Sequence, residues 1–264
     1  MDKKKGFETT KSVKNTFGLV KTEWHQKFPF YIFCPTDTIT SDTTLVGCGP
    51  LAMSQLMKFY SYPIKGLENF SNTTYDWVNM LAYDSLMTTQ IQRDAVARIC
   101  RDAGLAVNAN YGTTVTIENL EDIPHGLAKK FNYTSQLREE ATWYASLDIW
   151  IDSLKMSLAR KQPIIYGGPI TINSQTFNHS WIIDSYDYPN NQFNFNMGDS
   201  NLTYNDWYPM SAITTSQKAI FHTIPDHPDS ALVIPYKEDF NDVIIGSSIY
   251  QIPPNIGVSH TVSF

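Results

Sequence analysis

Charge is scarce in this sequence: Asp, Glu, Lys and Arg make up 17% of its 264 residues, against about 25% in an ordinary soluble domain. The 20 basic and 26 acidic side chains leave a net charge of −6. No basic stripe appears, which argues against a nucleic-acid partner or an anionic membrane surface. Cysteine is scarcer still. Cys34, Cys48 and Cys100 are an odd count with no C-x-x-C pair, so a disulfide scaffold and a zinc ribbon are both poor readings. His25, His125, His222, His227 and His260 show no metal-ligand spacing, and no metal or cofactor is expected. No apolar run approaches the ~18 residues that span a bilayer. The start, Met1 to Lys5, has the charge of a secretory n-region, but the polar stretch Gly6 to Asn15 follows instead of an apolar one. The chain is therefore expected to be cytoplasmic or to have lost a targeting segment.

Apolar material is plentiful. Hydrophobic residues reach 42% and aromatics 13%, enough for a packed core and against global disorder. The length favours one domain. An aromatic cluster at Trp24, Phe28, Phe30, Tyr31 and Phe33 is interrupted by Pro29 and Pro35, which keep it from being a regular helix. From Pro50 to Tyr60 the chain predicts a helix so apolar that it must be largely buried, with Ser54, Gln55 and Lys58 as a narrow polar strip. A second helix fits about residues 88–103, carrying Ile91, Ala95, Val96, Ile99, Cys100 and Ala103 on one face and Gly104 as its stop. A weaker third carries Leu120, Ile123, Leu127 and Phe131. A fourth runs over about 146–160. The period then becomes strand-like at Pro163–Gly167, Phe177–Tyr186, Gln192–Asn196 and Gln217–Thr223. Helices before strands is an α+β order.

Cys48 stands immediately before the buried helix. Unpaired N–H groups and the dipole at a helix N-terminus favour thiolate over thiol. The same N–H groups suit the oxyanion of a tetrahedral intermediate. Gly47 and Gly49 on either side allow a substrate backbone to approach. A core cysteine beside a helix cap is the plain alternative. His179 lies in a strand, flanked by small polar residues and followed by an apolar run, which suits a general base at a strand's exposed end and equally a hydrogen-bonded structural histidine. The turn Pro189-Asn190-Asn191 folds the next strand back, bringing Asn196 near His179. An amide there can orient an imidazole, or simply end a strand.

The stretch Val46-Gly47-Cys48-Gly49-Pro50-Leu51-Ala52-Met53-Ser54-Gln55-Leu56-Met57-Lys58-Phe59-Tyr60-Ser61-Tyr62-Pro63 closely resembles the nucleophile segment of the streptopain family of bacterial cysteine peptidases, G-C-V-A-T-A-x-A-Q-I-M-K-Y-x-x-Y-P. Upstream, Trp24 to Tyr31 and Cys34-Pro35 are similar to the family's W-x-Q-x-x-P-Y-N and C-P elements. Downstream, His179 to Asp187 is similar to its H-A-x-V-I-D-G-Y-D strand, and Asn196-Met197-Gly198 falls where the family has N-W-G. The resemblance covers residues 18–224 in order. It implies a papain-like fold, with the nucleophile helix packed on a twisted antiparallel, barrel-like sheet. It also implies peptide-bond hydrolysis through a thioester. Carried over, Cys48 is the nucleophile, His179 the base and acid, Asn196 the orienting amide and Gln26 the side-chain oxyanion donor. Residues 1–20 are then expected to be an N-terminal extension and 21–225 the papain-like peptidase domain. Residues 226–264 have no counterpart in the resemblance and are expected to form an extended tail held by Val243 to Ile252, with the start of a further β-rich domain as the alternative.

The departures are Asn178 before the histidine, Ser180 after it, and Met197 and Asp199 where the family has tryptophans. They motivate a second reading, a weakened homologue that keeps its cleft as a peptide-binding module. A transferase acting on a small acyl substrate is the third. The expected partner is a protein or peptide substrate, with no nucleic acid and no membrane. Family members are usually secreted with an inhibitory N-terminal prodomain, and the ~20 residues before Lys21 are too few to be one. The resemblance therefore implies a mature, truncated or differently controlled form, whose prodomain or inhibitor protein lies outside this chain. Among the thiols, Cys48 is expected to have its pKa lowered, and Cys100, on an apolar face, to have it raised.

Overall fold

The computed structural model describes residues 18–66, 72–139, 146–172, 174–198, 204–214 and 216–226. The expected tail beyond Asp226 and most of the N-terminal extension lie outside them. Among the described residues four helices, α1 (Cys48–Tyr60), α2 (Gln90–Ala106), α3 (Asp122–Phe131) and α4 (Leu147–Ala159), accompany six strands. These are β1 (Tyr133–Glu139), β2 (Ile164–Ile172), β3 (Gln175–Asp187), β4 (Gln192–Asn196), β5 (Asp206–Pro209) and β6 (Lys218–Pro225). They form one antiparallel sheet in the order β1-β6-β2-β3-β4-β5.

That sheet is open, which corrects the barrel-like closure the resemblance implied. β1 and β5 are its two edges. The physical reason is that both faces of the sheet are covered by helices. Alternation along a strand sends neighbouring side chains to opposite faces. Ile165, Ile182 and Ile220 accordingly join the core built with α1, α2 and α3. Their neighbours Ile164, Tyr166, Trp181, Ile183, Ala219 and Phe221 join a second core with Trp150, Ile151, Leu154 and Leu158 of α4. A closed barrel packs one face on itself. Here each face has its own helical partner, and the papain-like α+β fold stands without closure.

α1 is central, as its composition predicts. Gly49 to Met57 are all buried, and each large apolar side chain contributes about 1.5–3 kcal/mol by leaving water. Its polar strip faces protein. Ser54 and Gln55 are buried; Ser54 Oγ donates to the Pro50 carbonyl at 2.7 Å, and Lys58 Nζ donates to the Trp77 carbonyl. Ser61, in a left-handed conformation, ends the helix.

α2 begins with a capping box in which Thr89 and Gln92 satisfy each other's backbone N–H groups. It does not stop at Gly104 but runs through it to Ala106. A Cβ on Gly104 would lie 2.0 Å from Tyr111 Oη, so this glycine serves close approach rather than termination. The predicted face is otherwise buried except at Ile91, which is exposed. β1 and β5 were not foreseen; β1 separates α3 from α4 and takes its place beside the last strand.

Candidate active site

Cys48 is the first helical residue of α1. Its N-cap, Gly47, has φ 95° and offers no side chain to cap the helix. That φ lies in the region that favours glycine. A carboxylate from a distant loop takes the capping role. Glu118 Oε1 accepts a hydrogen bond from Gly49 N–H at 2.8 Å and from Cys48 Sγ at 3.4 Å. Ser180 Oγ donates to the same oxygen at 3.4 Å.

The lowered Cys48 pKa expected from the helix terminus is therefore overturned. The thiol is half-buried, and burial first, then the Glu118 charge, push it up to about 12. A hydrogen bond from the Ser180 backbone acts the other way without prevailing. A dipole of about half a charge is outweighed by desolvation plus a full negative charge in contact. Burial also raises Cys34, to about 12, and Cys100, as its apolar face predicts.

His179 stands where β3 passes from an exposed stretch to the buried run Ser180–Asp184. Its Nε2 is 2.7 Å from the Met197 carbonyl oxygen. A carbonyl only accepts, so Nε2 carries the proton and Nδ1 is the basic nitrogen of the neutral ring. Trp181, two residues on, stacks near-parallel to the imidazole at 6.4 Å, and Phe177, two residues back, meets it edge-on at 6.0 Å. Met197 itself is buried.

Asn196 pairs with Ile182 across β3 and β4, as the Pro189-Asn190-Asn191 turn predicts. Its amide is turned to other partners. Nδ2 donates to the Thr22 carbonyl at 2.6 Å and to Gln55 Oε1 at 3.2 Å, and Oδ1 accepts from Gln55 Nε2 at 3.2 Å. Gln55 Oε1 also accepts from Thr22 Oγ1 and Trp24 N–H. One buried glutamine thus ties α1, the end of β4 and the segment leading to Gln26. Gln26 is held from the other side by its carbonyl, which accepts from Val46 N–H at 3.2 Å, just ahead of Cys48.

Gln26 and His179 line one cleft of about 250 Å³, together with Lys27, Leu45, Phe177, Met197, Gly198 and Tyr204. Two of the four expected site residues thus line one cavity. The Cys48 thiol is bonded to Glu118, and the Asn196 amide to Thr22 and Gln55. Sequence reasoning missed Glu118 altogether. Its traces in the sequence are Gly49, where the streptopain-like pattern has valine, and Ser180, whose hydroxyl has Glu118 as its acceptor. The local pattern marks Gln55 only as part of the polar strip of α1. Among the described residues no cluster of His, Cys, Asp or Glu is arranged to hold a metal ion, and no helix is long and apolar enough to cross a membrane.

A helix that opens on a cysteine and packs on an antiparallel sheet, with a histidine on the strand beside it, defines a papain-like architecture. Comparison with known proteins narrows this. The Peptidase C10 family matches residues 24–208, and the chain belongs to that family of cysteine-type peptidases. It is 24% identical to streptopain of Streptococcus pyogenes over 162 residues, 53% of this chain and 40% of that protein. It is 23% identical to the thiol protease/hemagglutinin PrtT of Porphyromonas gingivalis over 201 residues, 70% of this chain and 22% of that one. The match thus spans less than half the length of these relatives. Among solved structures, active interpain A cysteine protease of Prevotella intermedia superposes with a TM-score of 0.68 at 24% identity, covering 78% of this chain and 93% of that one. A prointerpain A fragment does so with a TM-score of 0.68 at 22% identity, covering 81% and 73%.

Proposed function

We propose that this chain is a cysteine endopeptidase that cleaves protein or peptide substrates through a thioester on Cys48. The observation that carries the reading is the cleft shared by Gln26 and His179, with the Gln26 main chain bonded to the strand of residues that delivers Cys48 to the start of α1. His179 Nδ1 takes the thiol proton and Cys48 Sγ attacks the scissile carbonyl carbon. The oxyanion takes hydrogen bonds from the Gln26 amide and from N–H groups at the start of α1. The C–N bond breaks as the imidazolium returns its proton to the leaving amine. Water, deprotonated by the same nitrogen, then attacks the thioester and releases the acid, restoring the thiol. Asn196 acts as a positioning residue: anchored on Thr22 and Gln55, it holds the adjoining Met197 carbonyl against His179 Nε2. The likeness to a pro-form structure supports a prodomain or inhibitor protein as a partner.

Purified protein in reductant should cleave denatured casein, and Cys48→Ala should abolish cleavage. Failure to cut casein or any member of a peptide library would leave the peptide-binding module as the better reading.

A further inference from the structure

Glu118 follows directly on the short bridge between Asn110 and Ile117 and is 70 residues from Cys48 in the chain. Its Oε1 gathers the Gly49 amide, the Cys48 thiol and the Ser180 hydroxyl, while Oε2 is buried with no partner among the described residues. The contact depends on residue 49 being glycine. A Cβ there would lie 2.5 Å from Glu118 Oε1 and 2.8 Å from its Cδ. The streptopain-like pattern has valine at that position and alanine at the position of Ser180. Both departures therefore serve one end: one makes room for the carboxylate and the other donates to it.

We propose that Glu118 is a built-in gate on the nucleophile, its carboxylate occupying an amide of the first turn of α1 and binding the Cys48 thiol until a substrate displaces it. The inference rests on the peptidase reading of Cys48. The amide that Glu118 occupies belongs to the group of N–H donors an oxyanion needs. The thiol's hydrogen bond goes to an anion instead of an imidazole, and a neighbouring negative charge disfavours the thiolate. Burial in turn raises the Glu118 pKa, with the Gly49 amide, the Cys48 thiol and the Ser180 hydroxyl pulling it down. No positive group joins them in this contact set. A substrate carbonyl that takes over the Gly49 amide removes the best hydrogen bond holding Glu118 and frees the thiol at the same moment, so reactivity is coupled to occupancy.

The test reads the thiol directly, without a substrate. Wild type, Glu118→Gln, Glu118→Ala and Ser180→Ala are alkylated at one neutral pH with neutral iodoacetamide and with anionic iodoacetate, and adducts at Cys48 are quantified by mass spectrometry. Each pKa unit recovered by the thiol multiplies its thiolate fraction about tenfold, so Glu118→Ala should label about tenfold faster or more. Glu118→Gln should fall between it and wild type, and should raise the iodoacetate rate more than the iodoacetamide rate, because only the charge has gone. Ser180→Ala should give a smaller rise. Should Glu118→Ala not fold, the near-isosteric glutamine variant decides. Wild-type rates with both reagents in Glu118→Gln, or slower labelling in a folded Glu118→Ala, would overturn the gate. Faster labelling in variants that cleave no peptide supports the gate and sinks the peptidase reading; unchanged labelling in a variant that still cleaves casein does the reverse.

Discussion

Gln26 and Gln55 are two glutamines near one site with different tasks, and burial separates them. Gln55 is buried, and its carbonyl and amide are spent on Thr22, Trp24 and Asn196. Gln26 is half-buried and lines the cleft. An amide aimed at a developing oxyanion acts mainly in the transition state, and one such donor is worth about 3 kcal/mol, or about 10²-fold. Gln26→Ala should therefore lower kcat with little change in KM, measured on a peptide that the wild type cleaves. An unchanged kcat would assign the oxyanion to other donors. The identity of Gln26 was visible in the sequence through its motif. Its counterpart Glu118 was not, because nothing in a loop residue's local pattern says which distant helix end it will cap.

At the scale of the element, α2 shows how a local signal yields to packing. Glycine after an apolar helical stripe reads as a C-cap, and the apolar positions from Ala95 to Ala103 lie in the core as their spacing predicts. The helix continues because Gly104 is needed to admit Tyr111, whose hydroxyl donates to the Arg101 carbonyl at 3.3 Å. Propensity alone would make Gly104→Ala stabilising by about 1 kcal/mol. The Cβ at 2.0 Å from Tyr111 Oη and 2.8 Å from Cζ reverses the sign, and a net loss of about 1–3 kcal/mol is expected from overpacking. Tyr111→Phe in the same background should recover part of it. Urea midpoints of the single and double variants check this; a more stable Gly104→Ala would mean that Tyr111 moves aside freely.

For the whole molecule, Asp184 links the site strand to the first described segment. It is buried in β3, its Oδ2 accepts from Val20 N–H at 2.9 Å, and its carboxyl leaves no space for a Cβ on Gly18. Burial pushes its pKa up to about 7, against the pull of the Val20 amide and Lys21. A folded-state pKa above the unfolded value of about 3.9 means that the folded form holds an extra proton across that window. The contribution is full below about pH 4 and is lost as pH rises through about 7. Asp184→Asn keeps an acceptor for Val20 without the charge. Wild type should lose stability relative to this variant as pH rises from 4 to 8, read from urea midpoints. Parallel profiles would show that Asp184 does not titrate in this window.

Local chemistry was enough to determine several things about this protein. The burial of α1, the strand carrying His179, the turn that returns Asn196 beside it and the motif around Cys48 all depend on residues within a few positions of one another, where periodicity and turn chemistry act. Only the tertiary structure decided what depends on distant segments meeting. The sheet stays open because helices from both halves of the chain claim its two faces, and β5, a four-residue edge, has too little pattern to announce itself. The protonation of Cys48 was decided the same way. A helix dipole can be read from the chain, but burial of the thiol first, and then the carboxylate of Glu118 that reaches it across 70 residues, outweigh the partial charge of the helix end.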